Sequence, residues 1–209
     1  MCIRSLVCKL AAAAVLAVAC GNCWSNPMLL APTGTTLSTA QFRAEAALSP
    51  HNERGNYLWL AAGFKQFEAS LIRMSNVAGE DANVFGVQWC FLPETFVTPA
   101  ISLGVYDIGA QTDEGLGVYL AASKHISTKV AAPFLQDFSV TLGIGVGGIK
   151  GPFAAFEAKL PAGLFVQGEH DSRDLNGAVG WQPFPGFRLK AYSIRKDTYY
   201  GAEFISPLF

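Results

Sequence analysis

The sequence predicts an all-β protein: a closed, antiparallel, up-and-down transmembrane β-barrel of about twelve strands, with about ten as the lower count. Three observations support this prediction. Apolar residues alternate with small or polar ones in segment after segment. Short turns rich in Gly, Pro and Asp separate these segments. Only 15% of the 209 residues are charged while 12% are aromatic, and a charged fraction below the usual ~25% fits a protein that contacts lipid.

Residues 1–19 have the features of a signal peptide. Arg4 and Lys9 give a basic start, and the apolar run that follows is too short to span a bilayer. An A-x-A cleavage signal ends at Ala19, and Cys20 comes next. Plain cleavage and lipoprotein processing with Cys20 acylated both fit this site, and the sequence leaves the two open. An exported β-barrel is expected in the bacterial outer membrane.

Cysteine usage and charge exclude several classes of protein. Four of the five cysteines lie in or beside the signal peptide and Cys90 stands alone beyond it. The sequence therefore predicts no disulfide framework, no metal site and no cofactor. The 15 basic and 16 acidic residues leave no basic excess, which argues against a nucleic-acid partner. After the signal peptide, no apolar run reaches the ~18 residues of a transmembrane helix.

Residues 20–35 are predicted to form an irregular leader, and residues 36–209 a single barrel domain. The first four strands are expected at residues 40–49, 57–64, 67–73 and 83–92. Because side chains alternate along a strand, each of these segments has one apolar face. In the first strand that face consists of Phe42, Ala44, Ala46 and Leu48, and in the fourth it consists of Phe85, Val87, Trp89 and Phe91.

The next three strands are expected at residues 99–107, 115–126 and 137–148. The last of these contains Gly143, Gly145 and Gly148, which spell the G-x-G-x-x-G of a dinucleotide-binding turn. That turn needs a helix directly after it, but Gly151 and Pro152 would break one. Instead, apolar residues alternate with small, weakly polar residues along the segment. This pattern fits a strand with one apolar face and one small, weakly polar face. The apolar face consists of Phe138, Val140, Leu142, Ile144 and Val146.

Five more segments complete the series, at residues 153–160, 164–170, 175–182, 187–195 and 198–204. The turns between them are short and carry turn residues such as Gly, Pro and Asp. None leaves room for a crossover helix, so neighbouring strands are expected to be antiparallel.

The last and first strands are expected to close the barrel. The apolar face of the last strand, which includes Tyr200, Ala202 and Phe204, matches the apolar face of residues 41–48. Their pairing would remove both edges of the sheet. Pro207 should end the last strand shortly before the terminal Phe209, because proline cannot donate to a strand ladder.

Charges of both signs occupy the face opposite the apolar row in several strands. These candidate lumen-facing residues are Arg43, Glu45, Glu157, Lys159, Arg188, Lys190 and Glu203. In a barrel, opposite charges could pair inside the lumen, whereas in a soluble sandwich the same face would meet water. Closure in lipid leaves no sheet edges, which favours the barrel. Aromatic residues of the apolar faces are predicted to form interface girdles: Trp59, Trp89, Tyr119, Trp181 and Tyr200.

His170, Asp171 and Ser172 are the candidates for hydrolase chemistry. On an extended chain His170 and Ser172 share one side and Asp171 lies on the other, so a triad is not supported. The segment is better interpreted as a polar turn. We therefore predict a non-enzymatic protein with no catalytic residue. The alternatives are an outer-membrane lipid hydrolase, and a soluble secreted β-barrel or sandwich that binds a ligand.

Three consecutive predicted strands carry short motifs in a fixed order. They are a Pro-Ala start at Pro99, a Gly-x-x-Asp turn at Gly104 and Asp107 followed by Gly109, a Tyr-x-x-Ala-Ser-Lys strand from Tyr119 to Lys124, and a Leu-Gly-x-Gly strand from Leu142 to Gly145. Another strand pair follows with Glu169, Asp171, Asp174 and Asn176. This order resembles YjbH-type proteins, outer-membrane β-barrels linked to exopolysaccharide production. The resemblance covers residues 98–195, and those proteins are several times longer.

The resemblance implies a small barrel of the bacterial cell envelope with a link to exopolysaccharide export. Together with the predicted fold, it implies three kinds of partner: outer-membrane lipid, the barrel-assembly machinery, and polysaccharide or other envelope proteins.

Overall fold

The computed structural model describes residues 30–50, 55–77, 80–126 and 134–206. The predicted signal peptide, Cys20, the first part of the predicted leader, Pro207 and Phe209 lie outside the described residues. Within the described ranges, no helix is long and apolar enough to cross a membrane. A short 3-10 turn at Pro161–Gly163 is the helical element found there.

Twelve strands form one antiparallel sheet. They are β1 (Phe42–Leu48), β2 (Asn56–Phe64), β3 (Phe67–Val77), β4 (Glu80–Leu92), β5 (Ala100–Tyr106), β6 (Gly117–Ile126), β7 (Asp137–Gly147), β8 (Gly151–Lys159), β9 (Leu164–His170), β10 (Leu175–Phe184), β11 (Phe187–Ile194) and β12 (Asp197–Ile205). Each strand coincides with a predicted segment. The largest difference is in the hairpin of β3 and β4, which extends past the alternating pattern because polar residues there still pair.

The sheet closes into a barrel in which every strand pairs with its neighbours in sequence and β1 pairs with β12. In that closing pair Ala46 lies opposite Ala202 and Ala44 lies opposite Phe204. The predicted closed, up-and-down, antiparallel barrel is thereby confirmed. The pairing of first and last strands leaves no free sheet edge.

The two ends of the barrel differ in which chain segments they carry. We call the end where β1 begins and β12 ends the near end, and the opposite end the far end. The turn between β2 and β3 and the loop between β4 and β5 lie at the near end. The turn between β9 and β10 and the turn between β11 and β12 lie at the far end.

The outward face of the barrel is apolar along nearly every strand. In β7 the side chains of Leu142, Ile144 and Val146 are 61%, 57% and 66% exposed, whereas Thr141 between the apolar positions is buried. Other exposed members of this face are Leu58, Leu60, Phe85, Val87, Leu103, Leu120, Val179 and Leu189. The alternation predicted from the sequence therefore places apolar side chains on the outward face, and in β7 it places small or weakly polar side chains on the inward face.

Exposed aromatic rings gather around the near end. This near-end girdle consists of Phe42, Phe64, Phe67, Trp89, Phe91, Phe156, Trp181, Phe184 and Phe204. Neighbouring members contact each other across strands, with ring centroids 5.8 Å apart for Phe42 and Phe204 and 6.0 Å apart for Phe67 and Trp89.

Two of the residues predicted to belong to such a girdle are placed differently. Trp59 and Tyr119 are buried inside the barrel. The reason is the two-residue period of a strand. Leu58 and Leu60 take the outward positions of β2, so Trp59 between them must point inward. In β6, Val118 and Leu120 take the outward positions, so Tyr119 between them points inward as well.

Candidate functional site

The barrel lumen holds most of the charges that the sequence pattern assigned to it. Glu45, Glu157, Arg188, Lys190 and Glu203 are buried. Arg43 and Lys159, from the same set, are partly buried at 11% and 20% side-chain exposure. Their strands β1, β8, β11 and β12 bring these residues together in the near half of the lumen.

One ion pair spans the lumen between β8 and β11. The guanidinium of Arg188 donates from Nη1 to Glu157 Oε2 at 3.0 Å and from Nη2 to Glu157 Oε1 at 3.2 Å. Gln167 Nε2 donates to the same carboxylate at 2.7 Å. Lys159 approaches Glu157 at 3.9 Å and pairs with Asp137 at 3.1 Å. This bidentate geometry is the favourable arrangement for a buried pair.

A second cluster joins β1, β11 and β12. Glu45 and Glu203 lie directly opposite each other in the closing strand pair, where like charges would destabilise it. Lys190 resolves this conflict because its Nζ contacts both carboxylates, Glu45 Oε1 at 2.9 Å and Glu203 at shorter range. The Tyr192 hydroxyl also donates to Glu45, at 2.8 Å. These carboxylates therefore serve the barrel wall as ion-pair partners.

Aromatic side chains fill the lumen beside the far end. Tyr57 stacks on Trp59 with ring centroids 5.1 Å apart and meets the edge of Tyr199 at 5.3 Å. Tyr192 also stacks on Trp59, with ring centroids 6.4 Å apart. All four side chains are buried. A cavity of about 270 Å³ lies next to them at the far end.

The glycine pattern in β7 makes room for interior side chains. A Cβ at Gly143 would lie 2.0 Å from the Phe153 ring, and one at Gly145 would lie 2.4 Å from Ile149. Phe153 and Ile149 are buried in the lumen. The glycines of this strand therefore serve packing inside a narrow barrel.

Residues Leu30–Ser38, which we call the lumenal segment, lie inside the barrel. Residues 30–35 belong to the predicted irregular leader, and the lumenal segment forms neither helix nor strand. Its placement was not predicted: Ala31, Thr33, Thr35, Thr36 and Leu37 are all buried. The sequence does carry a signal for it, because residues 30–40 contain no charge and are mostly small.

The lumenal segment runs from the far end to the near end. At the far end the N–H groups of Leu30 and Ala31 donate to the two carboxylate oxygens of Glu169, at 2.8 and 3.0 Å. Glu169 lies beside the turn between β9 and β10. At the near end the N–H of Leu37 donates to Glu68 Oε2 at 2.7 Å, beside the turn between β2 and β3.

Three further side chains hold the middle of the segment. Ser123 Oγ accepts from the N–H of Gly34 at 2.7 Å. Ser102 Oγ donates to the carbonyl of Thr33 at 2.8 Å. Gln88 Nε2 donates to the carbonyl of Thr35, also at 2.8 Å, while the Tyr119 hydroxyl donates to the Gln88 carbonyl oxygen and fixes the amide.

Glycines in the lumenal segment and in the barrel wall permit the close approach of the two backbones. A Cβ at Gly34 would lie 2.5 Å from the backbone nitrogen of Ser123 and 2.6 Å from the carbonyl oxygen of Ala100. A Cβ at Gly63 in β2 would lie 2.4 Å from the carbonyl oxygens of Leu37 and Ser38. Real Cβ atoms do not tolerate such distances, so both positions require glycine.

The candidates for hydrolase chemistry form a turn. The Asp171 carboxylate accepts from the N–H groups of Arg173 and Asp174 and from the Asn176 amide. His170 is exposed. Within the described ranges there is no group of three or more His, Cys, Asp or Glu side chains that could hold a metal ion.

A polar cluster at the near end had no sequence signal. The carboxylate of Glu94, in the loop between β4 and β5, accepts from the backbone N–H of His125 at 2.8 Å and contacts its Nδ1 at 2.6 Å. Lys124 Nζ lies 3.1 Å from the same carboxylate. Burial raises the pKa of Glu94, but the hydrogen bonds from His125 and Lys124 outweigh it, and the pKa is lowered overall.

Comparison with known proteins gives one structural neighbour to report. No family model matches the sequence. No curated protein matches it either. Among solved structures, the chain is similar to a mutant of a Rh. blastica porin, with 10% sequence identity and a TM-score of 0.33. The match covers 83% of this chain and 63% of the porin chain, so this chain spans less than two thirds of that protein.

Proposed function

We propose that the protein is a non-enzymatic outer-membrane β-barrel whose lumen is closed by its own side chains and by the lumenal segment. The observation that carries this proposal is the apolar outward face around a closed sheet, with β7 as its clearest example. Contiguous apolar surface larger than a few hundred Å² is rare on soluble monomers. A closed barrel leaves no unpaired backbone groups at a sheet edge, which is the condition for crossing a bilayer.

The distribution of charge supports the same location. Ion pairs such as Arg188 with Glu157 lie inside, and hydrocarbon lies outside, which is the reverse of a soluble protein. The near-end girdle fits one lipid–water boundary, where aromatic rings are enriched.

The filled lumen supports a role without conduction or catalysis. The ionic clusters occupy the near half, the aromatic cluster occupies the far half, and the lumenal segment connects both ends. The buried carboxylates of the ionic clusters contact cations, and Asp171 closes a turn. A link to exopolysaccharide export rests on the YjbH-type resemblance and stays a prediction.

Membrane extraction tests the location. We expect the protein to sediment with the outer-membrane fraction and to require detergent for release, because the outward face would otherwise meet water. Washing the membranes with high salt or carbonate, without detergent, is the control for peripheral attachment. Recovery of the folded protein in a detergent-free soluble fraction would support the soluble alternative instead.

Planar-bilayer recordings test the closed lumen. Insertion of the purified protein should give no stable conductance steps, because side chains and the lumenal segment fill the path between the two ends. A general porin inserted under the same conditions supplies the positive control. Reproducible open-channel steps from the wild-type protein would overturn the closed lumen while leaving the membrane location intact.

A further inference from the structure

Side chains of the barrel wall bind the main chain of the lumenal segment. Glu169, Ser123, Ser102, Gln88 and Glu68 bind N–H and C=O groups of the segment at 2.7–3.0 Å. Within Leu30–Ser38 no side chain donates a hydrogen bond to the wall; the Thr33 hydroxyl donates to the carbonyl of Thr35 in the segment itself. Recognition through main-chain groups is a general way to bind a peptide with little dependence on its sequence.

The contacts are spaced along the whole lumen. Glu169 stands beside a far-end turn, Ser102 and Ser123 stand between the ends, and Glu68 stands beside a near-end turn. A nine-residue chain reaches at most about 30 Å when extended. That reach is enough to cross the apolar band of about 25 Å on outer-membrane barrels. The site is therefore long enough to hold one polypeptide from end to end.

The polar wall needs an occupant of this kind. The side chains of Glu169, Ser102, Ser123 and Gln88 are buried, and each meets a main-chain group of the segment. Withdrawing the segment would remove those contacts from groups that are costly to leave unsatisfied. A second polypeptide main chain supplies the same donors and acceptors at the same spacing.

The segment is shaped as a ligand that the lumen could exchange. None of its residues is charged, and all except its two leucines are small. The segment is connected to the barrel at the near end through the turn at residues 38–41. At the far end, Leu30 and Pro32 border the 270 Å³ cavity, which gives an incoming chain a place to enter. We infer that the lumen is a binding site for an extended polypeptide of small uncharged residues, and that the lumenal segment is its resident occupant.

Expelling the resident segment without changing the wall gives the test. In full-length Gly34→Val the added atoms collide with the backbone of Ser123 and Ala100, so the segment cannot seat. Thr33→Arg is an independent second variant, because it places a charge at a buried position of the segment. The probe is a labelled synthetic peptide with the sequence of residues 30–38, and its binding to detergent-solubilised barrel is measured by fluorescence anisotropy.

We expect the peptide to bind saturably to both variants. A control peptide carrying valine in place of its glycine should fail to bind, because it meets the same collision. Adding Gln88→Leu to the Gly34→Val barrel should weaken binding of the normal peptide by about tenfold, since one wall contact is lost. Binding that ignores both the valine and the Gln88 change would overturn the inference, because it would not occur in this site.

Absence of binding to folded variants would equally overturn the inference. Stable ion conductance of those variants together with no peptide binding would instead show a water-filled pore. Folding of each variant is checked by its resistance to SDS before heating. Because peptide binding is measured in detergent, its outcome is independent of the membrane extraction that tests the proposed function.

Discussion

Glu157 and Arg188 face each other inside the barrel, and their side chains are 1% and 4% exposed. At this depth the cost of removing each charge from water is large, and the pair is tolerable because both hydrogen bonds of the guanidinium fork are made. The arginine also lies 4.8 Å above the Phe165 ring. Removing one partner of such a buried pair destabilises the protein more than removing both, because a single remaining charge stays buried without a counter-charge.

Arg188→Met should therefore destabilise the barrel by about 3–5 kcal/mol, because Glu157 keeps its buried charge without its main counter-charge. Urea unfolding in lipid vesicles measures the change in the free energy of unfolding. The double variant Glu157→Leu, Arg188→Met should recover most of that loss, since no isolated charge remains. Equal losses in the single and double variants would show that packing, and not charge, is responsible.

Leu142 tests the opposite face of the wall. It is the central residue of β7 and is 61% exposed, so in a membrane it contacts the acyl chains. Leu142→Arg should cost about 2–4 kcal/mol of folding free energy in lipid vesicles. Gln111→Arg, at an exposed position in the far-end loop between β5 and β6, is the matched control and should have little effect. An unchanged stability for Leu142→Arg would place this face in water.

At the scale of elements, the loop between β4 and β5 is held against the end of β6 by one carboxylate. Glu94 accepts hydrogen bonds from His125 and contacts Lys124, and Lys124 Nζ also donates to the carbonyls of Thr95 and Phe96. The charged form of Glu94 is thus the form that holds the loop. Its lowered pKa expresses this preference.

The lowered pKa predicts a loop that loosens in acid. Because the folded-state pKa of Glu94 lies below its usual 4.5, the carboxylate contributes stability above pH 4.5, and this is lost as pH falls through the folded-state value. Hydrogen exchange of residues 93–99 should therefore accelerate below pH 4.5 relative to the intrinsic rate. Glu94→Gln should be less protected at neutral pH and should lose this acid step. An acid step that persists in Glu94→Gln would assign it to another group.

The elements also show what the sequence could predict. All twelve strands follow from the two-residue alternation, because an apolar outward face and a packed interior impose that period on every strand. The prediction of Trp59 as a girdle residue is wrong because Leu58 and Leu60 on either side of it occupy the outward face. Alternation is the stronger signal, since a strand cannot turn one side chain to the wrong face without a bulge.

The contacts that the sequence could not predict join residues far apart in the chain. The lumenal segment has no period of its own, because its hydrogen bonds go to wall side chains and not to a neighbouring strand. Ala31 meets Glu169 across 138 positions of sequence, and Glu94 meets His125 across 31. Such pairings depend on where the closed barrel brings side chains together, which no local pattern encodes.

At the scale of the whole molecule, closure explains why the parts are compatible. The junction of β1 and β12 brings Glu45 and Glu203 into direct opposition, and Lys190 from β11 contacts both carboxylates. It also positions Phe42 against Phe204 in the near-end girdle. An open sheet would leave Glu45 of β1 without Lys190. It would also leave two strand edges, and unpaired backbone groups at such edges are costly in a membrane.

Closure predicts a disulfide between Ala46→Cys and Ala202→Cys, in a background from which the native cysteines have been removed. These positions lie directly opposite each other in the β1–β12 pair, and antiparallel partners are about 4.5–5.5 Å apart at Cα, within the range that a disulfide spans. Oxidation in isolated membranes followed by non-reducing electrophoresis should show the cross-linked form.

Leu189→Cys with Ala202→Cys, opposite each other in the β11–β12 hairpin, is the positive control. Ala46→Cys with Val179→Cys in β10 is the negative control, because β11 and β12 separate those strands. If the hairpin pair forms and the Ala46–Ala202 pair does not, the barrel is open, and the absence of sheet edges can no longer support its place in the membrane.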